Sequence, residues 1–289
     1  MNVCFIIPIH EPDFKYVKNI LLTKEQFKIE TDIYFIMSNL QQEKKLKKLC
    51  KEITSVNTIV IPDENVIHQL LHQCRPRGPA VYKKLYGMLE LLNKYQYYCC
   101  VDSEITFIKH VNIFNLCEKY YNKKLIYANR TRMMFHTKLP LQFYNEDDQR
   151  KIKKETNDLN FWSWFNNIPI YKNDCLISFF DYIHLNKNTL PKFMNKFNSP
   201  FERIIYEYYL ILHYNFKVKL LDIDLTPGTD ESIVERGHLH SVDIINEINP
   251  YWFPSRGWFG KENKMLNKDD IFIIFHLDRC KKNMKNIKL

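Results

Sequence analysis

The sequence predicts an α/β fold, with a Rossmann-like, mostly parallel central sheet flanked by helices, and three observations carry that prediction. Short apolar runs alternate with helically periodic segments from residue 3 onward. One apolar run, Tyr97-Tyr98-Cys99-Cys100-Val101, stops at Asp102-Ser103-Glu104 and resumes as Ile105-Thr106-Phe107-Ile108. The six glycines form no G-x-G-x-x-G, Walker loop or G-x-S-x-G pattern, which disfavours standard dinucleotide, P-loop and hydrolase chemistry.

The elements follow in order. Val3–Pro8 is nearly all apolar, as a strand covered on both faces must be, and Pro8-Ile9-His10-Glu11-Pro12 then turns the chain. Residues 13–27 repeat apolar side chains at helical spacing through Phe14, Val17, Ile20, Leu21 and Phe27. Asp32–Met37 reads as a second strand ending at Ser38-Asn39, 41–52 as an amphipathic helix with Leu46, Leu49 and Ile53 on one face, and 57–61 as a third strand. This β-α-β-α-β order implies right-handed crossovers, with the loops at the strand carboxyl ends gathered on one edge.

After Pro62 comes a variable segment with Arg75-Pro76-Arg77-Gly78-Pro79, and 81–94 then reads as a helix through Leu85, Met88, Leu89 and Leu92. That helix delivers the chain to the Asp102 strand. A helix containing Phe114, Leu116 and Cys117 and a strand over 125–128 complete a nucleotide-binding half, residues 1–130. The acceptor-binding half, 131–289, is aromatic-rich: Phe161-Trp162-Ser163-Trp164-Phe165, a helix over 199–214, a strand over 217–221 and a strand over 271–275 before a basic tail. The two halves form one continuous fold.

With 289 residues, 45% of them apolar, the chain can bury a substantial core. Its eight cysteines contain no C-x-x-C pair and several lie in strand-like runs, so they read as small buried hydrophobes in a reducing compartment. Met1-Asn2 leads straight into a strand with no signal-peptide pattern, and no apolar run spans a bilayer. These features point to the cytoplasm, with peripheral contact at the inner face of a membrane open. The net charge of +9 suits an anionic leaflet, nucleic acid or phosphorylated ligands, and equally a merely solvated lysine surface.

Asp102 and Glu104 carry the chemistry. Two acids at the end of a buried strand belong at the rim of a parallel sheet, where hard oxygen donors suit a divalent cation that takes phosphate oxygens as its other ligands. Asp222-Ile223-Asp224 is a second match, but it follows a lysine-alternating strand and runs into Leu225-Thr226-Pro227-Gly228, a solvated strand end or turn.

The apolar strand ending in proline, the helix holding Tyr82-Lys83-Lys84-Leu85-Tyr86, and the run from Tyr97 through Asp102-Ser103-Glu104 to Ile108 together resemble nucleotide-sugar glycosyltransferases of the GT-A fold. The likeness is to bacterial and large-virus enzymes of surface polysaccharide or lipooligosaccharide synthesis, over roughly the first 130 residues. It implies Mn²⁺ or Mg²⁺ held by Asp102 and Glu104 and bridging the diphosphate of a nucleotide-sugar, a UDP-sugar foremost. It also implies Ser103 against the ribose or sugar, Pro8, Ile9 and His10 lining the base, Asn39 near the base edge, and a glycan or glycolipid hydroxyl as acceptor. Asp-x-Glu replaces the commoner Asp-x-Asp of that family. A histidine near the carboxyl terminus completes the metal site in several families of this fold, and His276 stands in that position; a core or capping histidine is the alternative.

A departing diphosphate develops negative charge, which nearby cations stabilise, and Lys83, Arg75 and Arg77 precede the metal strand. His238 and His240 share a strand face or sit in a flexible loop. An inverting transferase needs a carboxylate base, for which Asp174 leads and Glu207 follows. Trp162, Trp164 and Trp258 either stack on sugar rings or fill a wet core. A nucleotidyltransferase acting on sugar phosphates is a rival, but it usually needs a glycine-rich loop after the first strand. A non-enzymatic nucleic-acid-binding protein is the other; the lysines are dispersed and the paired acids repel phosphate, so no nucleic-acid partner is expected.

Overall fold

The computed structural model describes residues 2–51, 56–73, 77–103, 105–107, 110, 112–130, 139–156, 169–195, 202–224 and 274–276. The chain begins β1 (Val3–Pro8), α1 (Phe14–Gln26), β2 (Asp32–Met37), α2 (Leu40–Leu49), β3 (Asn57–Val60), α3 (Glu64–Gln73), α4 (Arg77–Leu91) and β4 (Tyr97–Cys100). It continues with β5 (Ile105–Phe107), α5 (Ile113–Lys123), β6 (Leu125–Arg130), α6 (Glu146–Glu155) and β7 (Ile170–Lys172). The last described elements are α7 (Asn173–Tyr182), α8 (Leu190–Asn195), α9 (Glu202–Tyr214), β8 (Lys217–Asp224) and β9 (Ile274–His276).

The central sheet has the order β3-β2-β1-β4-β7. Its first four strands are parallel, and β7 closes the β4 edge antiparallel, with Tyr97 opposite Lys172. This bears out the predicted class: a mixed α/β chain whose mostly parallel sheet is flanked by helices. Strand β1 is buried at every residue, which is why its side chains are apolar on both faces.

Alternation along β1 assigns the two layers. Phe5 meets Phe107 of β5 edge-to-face at 5.7 Å, while Ile6 on the other face packs under Gly87 of α4. Strand β5 is tied in turn to α1, where the Phe107 amide donates to Thr23 Oγ1 at 3.2 Å. Helix α4 therefore covers the sheet opposite β5.

Two features of the connectivity go beyond the sequence pattern. The strand predicted over 125–128 forms, as β6, but outside the central sheet: it pairs in parallel with β8, Leu125 beside Lys217. The place beside β4 goes to β7, a three-residue strand of the second half. A tyrosine knot explains why that strand stays there: Tyr121 of α5 donates to the Ile170 carbonyl at 3.2 Å, accepts from the Lys172 amide at 2.8 Å, and shares a 2.7 Å hydrogen bond with Tyr206 of α9. The segment after Pro62, read from the sequence as variable with no element assigned, contains helix α3.

Gly87 sets the seating of α4. A Cβ there would lie 2.8 Å from Ile36 Cδ1 and 2.9 Å from Ile6 Cγ2, inside contact distance of the sheet. Gly87→Ala is expected to destabilise the protein by about 1–3 kcal/mol through overpacking, against the roughly 1 kcal/mol that alanine gains in helix propensity. Urea unfolding checks this, and an unchanged or higher midpoint would contradict the close seating.

Candidate functional site

Strands β1 and β4 are neighbours from which the chain departs in opposite directions across the sheet, toward β2 and toward β7. That makes their carboxyl ends the switch point of the topology, where an open α/β sheet leaves a crevice. The last ladder bonds are Ile9 N to Ile36 O at 3.3 Å and Val101 N to Ile6 O at 3.2 Å. His10 and Asp102 are the next residues on their chains, so each begins where sheet pairing stops.

Consecutive lysines of α4 hold these two ends. Adjacent helical residues point about 100° apart, and Lys83 and Lys84 straddle the gap accordingly. The Lys83 ammonium, fully buried, donates to the Ile9 carbonyl and lies 3.5 Å from His10 Nδ1. The Lys84 ammonium, 7% exposed, pairs with Asp102 Oδ1 at 3.0 Å. Behind it, Glu202, at the start of α9, brings Oε1 to 4.0 Å.

Burial brings the Lys83 ammonium down to about 7, with Asp13 pulling against it. Burial, reinforced by repulsion from Lys83, lowers His10 to about 4. The imidazole is thus neutral at pH 7. Burial also works against the Lys84 charge, but Asp102 and Glu202 outweigh it and hold that ammonium above its ordinary range. Burial pushes the Glu202 carboxyl up, while Lys84 pulls it down.

The other predicted site residues fall as follows. Pro8 ends β1 and Ile9 follows it, both buried, and Ser103 is 3% exposed in the turn after Asp102. Asn39 caps α2: its side-chain oxygen accepts from the Gln42 amide at 2.8 Å and its amide donates to Glu64 Oε2 at 2.6 Å. These residues share the switch-point edge of the sheet. Asp174 does not, because β7 runs antiparallel to β4 and ends beside Tyr97, at the opposite edge. Glu207 is buried on α9 in an ion pair with Arg203 at 2.9 Å.

His276 lies in β9, whose register sets it beside Ile105, the residue after Glu104. Glu104, Arg75, Trp162, Trp164, Trp258, His238 and His240 lie outside the described residues, as do the side chains of Arg77, Asp222, Asp224 and His276. Sequence reasoning missed two residues here. Lys84 carried the signal of tandem lysines within an otherwise buried helical face; Glu202, one acid at a helix start, carried none.

As to a cation, Asp102 offers a carboxylate that is 38% exposed and already holds one positive group, Lys84. Among the described residues no three His, Cys, Asp or Glu converge on a point. The described residues supply one oxygen donor here, the Asp102 carboxylate, a hard ligand of the kind that Mn²⁺ or Mg²⁺ takes.

No family model and no curated protein matches the chain. Among solved structures it is similar to core-mannan synthase A from Aspergillus fumigatus, in a Mn/GDP form, at 13% identity and a TM-score of 0.38, covering 78% of this chain and 77% of that one. It is also similar to the mannosyltransferase Ktr4p from S. cerevisiae, at 12% identity and a TM-score of 0.38, covering 71% of this chain and 62% of that one. Superpositions this loose decide neither fold nor chemistry, which rest on the sheet order and the residues at its edge. No described helix is long and apolar enough to cross a membrane.

The His10 shift has a pH consequence. Its folded value lies below the unfolded one, so the unfolded state binds the proton more readily and stability falls as pH drops from 6.5 toward 4. His10→Gln is expected to flatten the fall in melting temperature across that window relative to wild type; parallel pH profiles for the two proteins would contradict a buried, neutral His10.

Proposed function

We propose that the chain is a GT-A-type glycosyltransferase that transfers a sugar from a nucleotide-sugar, a UDP-sugar foremost, to a hydroxyl of a glycan or glycolipid. The observation that supports it most is the carboxylate of Asp102 at the carboxyl end of β4, on the switch point, with the β5–β9 register bringing His276 to a residue adjacent to Glu104. Asp102, Glu104 and His276 would hold Mn²⁺ or Mg²⁺, which when bound neutralises the charge of the departing nucleoside diphosphate.

The chain's own residues do the rest. Pro8, Ile9 and His10 form the wall against which the base lies, and His10 offers it a neutral imidazole. Lys83 fixes that wall through the Ile9 carbonyl instead of meeting phosphate, since its ammonium is enclosed. Asn39 keeps the neighbouring strand end at the base edge, and Ser103 closes the turn against the ribose. Arg77, the first residue of α4, and Arg75, two residues before it in sequence, supply cations to the diphosphate. The acceptor belongs to a surface polysaccharide or lipooligosaccharide, and the enzyme works in the cytoplasm or against the inner face of a membrane.

Asp102→Asn is expected to lower sugar transfer on the order of 100-fold while leaving the fold intact. In a thermal-shift panel, Mn²⁺ with one nucleoside diphosphate is expected to raise the wild-type melting temperature and to leave the variant's unchanged. Undiminished turnover by the variant in chelator would overturn the reading.

A further inference from the structure

Lys84 stands between two carboxylates that it serves unequally. It is hydrogen-bonded to Asp102 at 3.0 Å but only within charge range of Glu202 at 4.0 Å, too long for a hydrogen bond. Glu202 is 3% exposed, and its Oε2 has no hydrogen-bond partner among the described residues. A buried carboxylate oxygen left in that state has been stripped of water without compensation. Asp102, in contrast, faces solvent with 38% of its side chain. The ammonium therefore sits on the acid that water could serve and away from the acid that water cannot reach.

We propose that Lys84 is an exchangeable resident cation: it occupies Asp102 while no divalent ion is bound and passes to Glu202 when one arrives. Glu202 is then a positioning residue that acts on the metal site through Lys84. This rests on the reading of Asp102 as a metal ligand.

The exchange needs little motion. A divalent ion on Asp102 cancels the charge that held the lysine and repels an ammonium standing about 3 Å from the same carboxylate. Roughly 1 Å of travel by Nζ, well within the reach of a flexible lysine stem, turns the contact with Glu202 Oε1 into a hydrogen bond and brings a counter-charge to the carboxylate whose Oε2 is unpartnered. No proton moves, and the buried acid ends with its own counter-charge. Glu202 opens α9, which carries Tyr206 of the tyrosine knot, so the receiving acid is fixed by the second half of the molecule.

The test is Mn²⁺ binding to the full chain, read from the loss of the free-ion electron paramagnetic resonance signal, for wild type, Glu202→Gln, Lys84→Met and the double variant. Glu202→Gln is expected to weaken binding at least fivefold, because the lysine has nowhere to go. Lys84→Met is expected to tighten it, and in that background Glu202→Gln is expected to change affinity less than twofold. Unaltered binding in Glu202→Gln, or an equal loss with and without Lys84, would overturn the exchange and leave the proposed function standing. Wild-type protein that binds no Mn²⁺ would overturn both. If Lys84→Met does not fold, the isosteric Glu202→Gln against wild type still decides, with equal affinities contradicting the proposal.

Discussion

A sheet buried on both faces can place charge only where its ladder ends, and this constraint organises the molecule. Four parallel strands run through an apolar interior, and the chain crosses back between β3 and β4, so the carboxyl ends of β1 and β4 lie side by side with nothing between them to pair. His10 and Asp102 each sit one residue past the last sheet hydrogen bond on their chains. The apolar packing thus decides where polar chemistry can be, before any single polar residue is considered.

Helix α4 converts that location into a defined geometry. Gly87 lets the helix approach Ile6 and Ile36 closely, and one turn earlier Lys83 and Lys84 reach the two strand ends. The lysines have opposite electrostatic fates although they are adjacent. Lys83, facing a carbonyl and a neutral imidazole, is pushed toward neutrality by burial; Lys84, facing two carboxylates, keeps its charge despite burial. One stiffens the wall of the crevice, and the other is a positive group held beside the acid proposed to bind a positive ion.

Much of this was legible in the sequence where periodicity and burial agree. Val3–Pro8 and Asp32–Met37 form as read, and so do the helices around Phe14, Leu46 and Leu85, because each buries a face that leaves an apolar pattern. Helix α6 left no such pattern: among Glu146–Glu155 only Ile152 is buried, and the helix is set by the Asn145 cap, an acidic first turn and lysines in its last turn. Strand β7 was invisible because three residues are too short for periodicity, and its direction depends on Tyr121, distant in sequence. The same tertiary choice carries Asp174 to the far edge. At the site, Asp102 and Pro8-Ile9-His10 were legible as strand ends, whereas Glu202 comes from a helix about one hundred residues away and only folding brings it to Lys84.

The central claim is that the carboxylate at the end of β4 holds a divalent ion at the switch point. Anomalous diffraction from crystals soaked with Mn²⁺ and a nucleoside diphosphate tests it most directly. The account expects a manganese peak within coordination distance of Asp102, flanked by Glu104 and His276, with the diphosphate on its open side. A diphosphate bound at this edge with no manganese beside Asp102, and Lys84 still paired to it, would contradict the account.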